Sequence, residues 1–294
     1  MLDTQLSPLV CTWYSSFTAS TTWETIQKFA NSTFITSLIG ALAGAFAGAV
    51  AAQRTAERGK HREELLRELR NTNAAIAVAF GIVNSFLALK GQHVKDLKSR
   101  FEIQKAELLE HKRKRQTGEI QSGTPFALQA DLQTIQALPL PTDTLRAVVF
   151  EKLSLVGRPL NLVITLIQVT HSLNESLAKR NSLIEGYKSD FPKDNRDFAP
   201  LYFGLPYGDG HVNLDYPATI DAIYSQTDDG IFFSNLLCKD LHDHGKQLSE
   251  VFRKKFKKDA PRVTEVDFSA AISSKLMPDE SNYADWVAAF VKKD

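Results

Sequence analysis

The sequence predicts an all-α chain: one N-terminal transmembrane helix that continues into a mainly helical cytoplasmic domain, with one irregular loop rich in aromatic residues, glycine and proline. Three observations predict it. Phe34 to Ala52 carries no charged residue. Beyond it, apolar residues recur at helical spacing over long stretches, as in Leu162, Leu166, Val169, Leu173 and Leu177. Proline and glycine cluster in two places, 117–141 and 191–217, and these divide the helices.

Residues 1–33 read as a short extracytoplasmic tail with only Asp3, Glu24 and Lys28 charged. Trp13, Tyr14, Phe17 and Trp23 suit an outer membrane interface, and Thr21 and Glu24 have the spacing of a capping box. The span 34–52 follows. Nineteen residues at about 1.5 Å each reach roughly 28 Å, close to the hydrocarbon core of a bilayer. Arg54, Arg58, Lys60, Arg62, Arg67 and Arg70 follow it within 53–70, so the N-terminus is expected outside and the bulk of the chain inside.

On a helical wheel, Thr33, Thr36, Ser37, Gly40, Ala43, Gly44, Ala47, Gly48 and Ala51 fall within about 80° of Gly40. Phe34, Ile35, Leu38, Ile39, Leu42, Phe46 and Val50 lie on the other side. Lipid supplies no hydrophobic drive for such a division, whereas small residues let helix backbones approach. The small face therefore predicts helix–helix contact. With one convincing span, the partner is a second copy of the chain.

Residues 53–116 read as juxtamembrane helices. Within them Ala74 to Leu89 is apolar but short and holds Asn84 and Ser85, so it is either a buried helix or a second span or re-entrant segment. Residues 117–141, with TGEIQSGTP and LPLP, read as a linker, and 142–294 as a helical domain. Helices are expected over 142–156, from Pro159 to about Lys188, and from about Ala218 to Lys258. The stretch from Phe191 to Pro217 contains four prolines and three glycines and cannot hold a long helix. PRVTEVDF, 261–268, reads as one short strand, and Asp279 to Lys292 as a terminal helix with Tyr283, Trp286, Val287 and Phe290 on its apolar side.

The chemistry is mostly exclusion. Net charge is +1, so no global field draws the chain to nucleic acid, and two cysteines make no disulfide framework or cysteine metal pattern. No phosphate-loop, zinc-protease or nucleophile-elbow motif occurs, and no acid–base or nucleophile constellation. No cofactor is implied. In DLHDHG, His242 and His244 lie about 200° apart on a helix and cannot face one ion, although Asp240 and His244 can. In LSEVFRKKFKK, Arg253, Lys254 and Lys257 lie opposite Leu248, Phe252 and Phe256. That basic face is either solvated or an anion site. As a site, it holds phosphates while Tyr202, Phe203 or Tyr207 stacks on a base, so the ligand is a nucleotide or short oligonucleotide. HKRKR, His111 to Arg115, is a second basic cluster.

The span from Thr33 to Ala52, its positive flank and the helical domain without catalytic motifs resemble the membrane effectors of bacterial antiphage systems, of which the membrane subunit of the Hailong system is an example. The resemblance is one of architecture. It implies a homo-oligomeric, single-pass inner-membrane protein that is not an enzyme and whose pore is opened by a nucleotide signal. The residues alone also accommodate a non-conducting membrane-tethered scaffold and an enzyme of unfamiliar site.

Overall fold

The computed structural model describes residues 33–121, 123–190 and 198–290. The tail before Thr33 with its aromatics and capping box, Phe191, and the side chains of Thr33 and Thr36 lie outside the described residues. No strand occurs among them, so the described chain is all-helical.

The first helix, α1, is Thr33–Leu89, a single element without proline. Ser37–Gln116 is helical throughout and contains a stretch long and apolar enough to cross a membrane, half of it buried in the fold. The chain divides within α1 into two units, 1–63 and 64–294.

In the first unit α1 has no core to join. Leu38, Ile39, Leu42 and Phe46 are all exposed, Phe46 by 74 %. In the second unit the helix is a core element. Ile76, Ala79, Val83 and Phe86 recur every three or four residues and are fully buried, so Ala74 to Leu89 packs as a buried helix of this unit.

A π turn, Lys90–Val94, joins α1 to α2, Lys95–Gln116. The wider turn turns Lys90 inward, where it pairs with Asp228 at 2.5 Å and lies over the Tyr224 ring. The remaining helices are α3 (Thr142–Lys152), α4 (Arg158–Asp190), α5 (Phe198–Phe203), α6 (Asp215–Phe256), α7 (Ser269–Ser273) and α8 (Ala284–Ala288).

Long helices α4 and α6 pack along one another. Leu162, Leu166, Leu173 and Leu177 of α4 are fully buried, as their spacing predicts. Val169, the remaining member of that series, is half-buried. Phe86 of α1 reaches α6 at Gly230. A Cβ there would lie 2.4 Å from the Phe86 ring, so only glycine allows the approach.

Two sequence expectations are corrected. Residues 261–268 form no strand, because no extended neighbour lies alongside and a side chain satisfies the backbone instead. Asn73 accepts from the Thr264 amide at 2.9 Å and donates to the Arg262 carbonyl at 3.0 Å. Among the described residues, the expected terminal helix over 279–292 is a 3₁₀ turn, Glu280–Tyr283, followed by the short α8; residues 291 and 292 lie outside them. The Asp279 carboxylate caps the turn by accepting from the Ser281 amide. Tyr283 stacks on Phe232 at 3.8 Å and donates to Asp229, which pins this end to α6.

Residues 123–141 have neither helix nor strand, yet Ile135 is buried and Phe126, Leu128, Leu132 and Leu138 pack against the core. The stretch is a strap whose main chain is held by side chains of α4. Asn181 accepts from the Ile135 amide at 3.0 Å and donates to its carbonyl at 2.8 Å. Asn174 does the same at Leu138, at 2.7 and 3.1 Å. Arg180, fully buried, donates to the Gln133 carbonyl at 2.7 Å and to the Asp131 carboxylate at 3.3 Å. Seven residues of helix rise about 10.5 Å and three extended residues span about 10 Å, so the two asparagines match Ile135 and Leu138 in antiparallel register.

Candidate functional site

Four groups of residues bear on function. The first is the small face of α1. Ser37, Gly40, Gly44, Ala47, Gly48 and Ala51 are all exposed. A Cβ placed on Gly40, Gly44 or Gly48 meets nothing within 4 Å. Small and large faces alike are thus uncovered by the described residues of the first unit.

The second is the basic end of α6. Arg253, Lys254 and Lys257 are exposed, and the buried Phe252 and Phe256 face the other way, packing with Leu65. Lys257 takes a left-handed backbone (φ 54°) and its amide bonds the Arg253 carbonyl, ending the helix. Cations here sit beside the negative end of the helix dipole and stabilise the terminus.

Third comes the aromatic group. Tyr202 and Phe203 are buried, 3 % and 0 % exposed, in a nest with Phe101, Tyr187 and Tyr216. Tyr202 lies 4.5 Å from Tyr216 and its hydroxyl accepts from the Asp131 amide. Burial pushes the Tyr202 phenol well above the usual tyrosine range, with Tyr216 adding to it, and pushes Tyr187 up to about 12. These hydroxyls stay protonated and serve structure. Tyr207 is half-buried at a turn bridged to His211.

Basic and aromatic halves of the expected ligand site do not meet. Tyr202 packs against Tyr216 in the first turn of α6, the rings tilted by 35°. Arg253 lies thirty-seven residues further along the same helix, about 55 Å away at its rise per residue. A mononucleotide does not span that distance, and Tyr202 and Phe203 are buried.

What the fold does bring together is the second basic cluster and the strap. In the last turns of α2, Leu108, His111, Lys112 and Arg115 share one face, while Glu110, Arg113 and Lys114 fall on the other. Arg113 pairs with Glu110 at 2.8 Å and Glu119 at 2.9 Å, and Lys114 approaches Glu110. His111, Lys112 and Arg115 line a cavity of about 950 Å³, closed on other sides by the strap at Phe126 and by α5 at Phe198 and Pro200. His111 and Phe126 meet edge to face at 5.7 Å. The spacing of the cluster along α2 was readable in the sequence; the strap that covers it was not.

Polar groups elsewhere are structural. Asp240 is paired with Arg158 at 2.5 Å and His242 bonds the Thr264 carbonyl, so the Asp240–His244 metal reading fails. His244 lies 3.2 Å from Glu68, which also accepts from the Ser154 amide and hydroxyl. The carboxylate stands between serine and histidine, so the imidazole bonds the carboxylate and not the hydroxyl, and the trio lacks the serine–histidine–carboxylate order of a nucleophile triad. Burial raises the Glu68 carboxyl, but Ser154 and His244 outweigh it and hold it below its ordinary value. No group of three potential metal ligands occurs among the described residues. No protein-family model, curated protein or solved structure matches the chain.

Proposed function

We propose that the chain is a membrane effector. Copies assemble through the small face of Thr33, Thr36, Ser37, Gly40, Gly44, Ala47, Gly48 and Ala51 into a pore, and the helical unit on the cytoplasmic side controls it. One observation carries this reading: in the first unit the uncharged stretch from Ser37 to Ala52 is exposed, with Val50 half-buried. An apolar surface of this length is a contact surface. Lipid suits the Leu42 and Phe46 side, and a second copy suits the glycine side, where dispersion contacts between close backbones do the holding. A non-conducting tether is the second reading. It is favoured by the lack of any charge on the small face, which leaves only hydroxyls to line water.

Purified chain in liposomes is expected to raise potassium or chloride flux at least about tenfold over protein-free vesicles, a drop of at least about 1.4 kcal/mol in the permeation barrier. Unchanged flux in vesicles that hold the oligomer leaves the tether.

Topology has its own test, because the two cysteines differ. Cys238 is fully buried, and burial pushes its thiol up to about 12, so it stays silent toward thiol reagents wherever it lies. A membrane-impermeant maleimide is therefore expected to label Cys11 in intact cells. Gln247→Cys, at an exposed position of α6, should be labelled only after lysis. The reverse pattern places the helical unit outside.

A further inference from the structure

The basic end of α6 carries charge that the fold leaves unmatched. Between Glu250 and Asp259 the chain holds five cations, Arg253, Lys254, Lys255, Lys257 and Lys258, and all five are exposed. Arg253, Lys254, Lys257 and Lys258 pair with no carboxylate among the described residues. Several cations elsewhere are matched: Lys98 with Glu102 and Asp221, Arg113 with Glu110 and Glu119, Lys179 with Asp215. The helix dipole favours cations within the last turn of α6, and Lys257 and Lys258 lie past it. Like charges this dense repel one another, and an external anion relieves that.

Position is a second observation. The apolar side of this end is occupied, because Phe252 and Phe256 pack with Leu65, near the start of the second unit. The basic end of α6 therefore stands where the chain enters that unit. Leu65 follows Ala52 by thirteen residues, which reach no more than about 45 Å even when fully extended. A bilayer that takes up the uncharged stretch is thus joined to the cations by a short tether. Val251, 47 % exposed and about 60° from Lys254 around the helix, sets an apolar side chain beside them.

We propose, on the membrane reading given above, that the basic end of α6 docks on the anionic headgroups of the bilayer. Lipid phosphates meet Arg253, Lys254, Lys257 and Lys258, each of which is attracted to an anionic leaflet within a Debye length of it. Val251 and the lysine stems meet the interfacial carbon beneath the phosphates. The tether makes this contact intramolecular, so headgroup contacts that are weak one by one suffice. A dissolved phosphate or a nucleic acid has neither the tether nor an apolar layer for Val251.

The full-length chain with Cys11→Ser and Asp259→Cys tests this. Asp259 is exposed and adjoins Lys258, and the buried Cys238 stays silent, so one thiol-linked fluorophore marks the end of α6. The labelled chain is reconstituted in vesicles of phosphatidylcholine, or with about a third of it replaced by phosphatidylglycerol, each with a headgroup-nitroxide lipid as quencher. Quenching is expected to be at least about twofold greater in the anionic vesicles and to fall to the zwitterionic level near 1 M salt, where the Debye length is about 3 Å. Lys254→Glu with Lys257→Glu should bring the same fall at low salt. Lys254→Gln with Lys257→Gln reads the same surface should charge reversal disturb the fold. Equal quenching in the two kinds of vesicle overturns the docking, as does an anionic excess that both variant pairs keep. Inorganic phosphate or a short oligonucleotide that abolishes the excess at constant ionic strength assigns the surface to a dissolved anion and overturns it as well. Flotation separates this from the membrane reading. A chain that floats with both kinds of vesicle but shows no excess keeps its span and loses the docking. One that floats with anionic vesicles alone loses the span and keeps the lipid surface, and one that floats with neither loses both.

Discussion

Gly44→Leu is expected to convert the assembled chain to monomer in detergent and to return ion flux to the level of empty liposomes. The argument rests on what surrounds Gly44. A Cβ at that position meets nothing within 4 Å in the single chain, so leucine creates no internal clash. Leucine is also the better helix former by about 0.8 kcal/mol, so α1 itself is not weakened. Any loss must then arise between copies, where the added side chain holds backbones apart and removes the close contact that small residues permit. Leu42→Ile, on the large face and 62 % exposed in the chain, should assemble and conduct as the parent does. Sedimentation or mass photometry reads the oligomer directly. Equal masses for Gly44→Leu and the parent would remove the small face from the interface.

Arg180→Ala is expected to cost about 3–5 kcal/mol and to lower the thermal midpoint by roughly 10 °C. Arg180 is fully buried and its guanidinium ties three acceptors of the strap: the Gln133 carbonyl, the Asp131 carbonyl and the Asp131 carboxylate. Alanine takes the guanidinium from the Gln133 carbonyl and opens a void beside Tyr216, while the Asp131 carbonyl keeps the Tyr216 hydroxyl. The Asp131 carboxylate keeps the Gln133 amide at 3.1 Å and a weaker contact to Arg100 at 3.5 Å. The strap should loosen first, seen as faster protease cleavage between 123 and 141 before global unfolding. A variant as stable and as resistant as the parent would mean that the strap is held by its apolar residues alone.

Much of the helical plan was legible because the signals are local. Charge is absent from 34–52 and returns abruptly at Arg54, and apolar spacing marks α4 and α6 over many turns. The irregular aromatic stretch was legible from its prolines. What stayed hidden depends on contacts distant in the chain. Residues 117–141 look like a linker because their polar partners, Asn174, Arg180 and Asn181, lie some forty residues downstream and carry no pattern of their own. Residues 261–268 have the composition of a strand but no strand beside them, and Asn73 takes that role from 190 residues away. The separation of the basic and aromatic residues has a different cause. A continuous helix from Ala218 to Lys258 already separates the aromatic stretch from Arg253 by its own length, so only a loop folded back along all of α6 would have joined them. The cluster at 111–115 lacked such a partner in the sequence and finds it in Phe126, across a turn whose outcome no periodicity encodes.

The asparagine pairing of strap and α4 has an evolutionary consequence. Asn174 and Asn181 touch only amides and carbonyls, which every residue but proline carries alike. Selection at this contact therefore acts on length rather than identity. Drift among apolar side chains at 135 and 138 leaves the four bonds intact, whereas one inserted or deleted residue between them misaligns both clamps at once. Homologous chains should diverge in the letters of this stretch while conserving its count, and an alignment that opens a gap there should be suspected of error before the protein is.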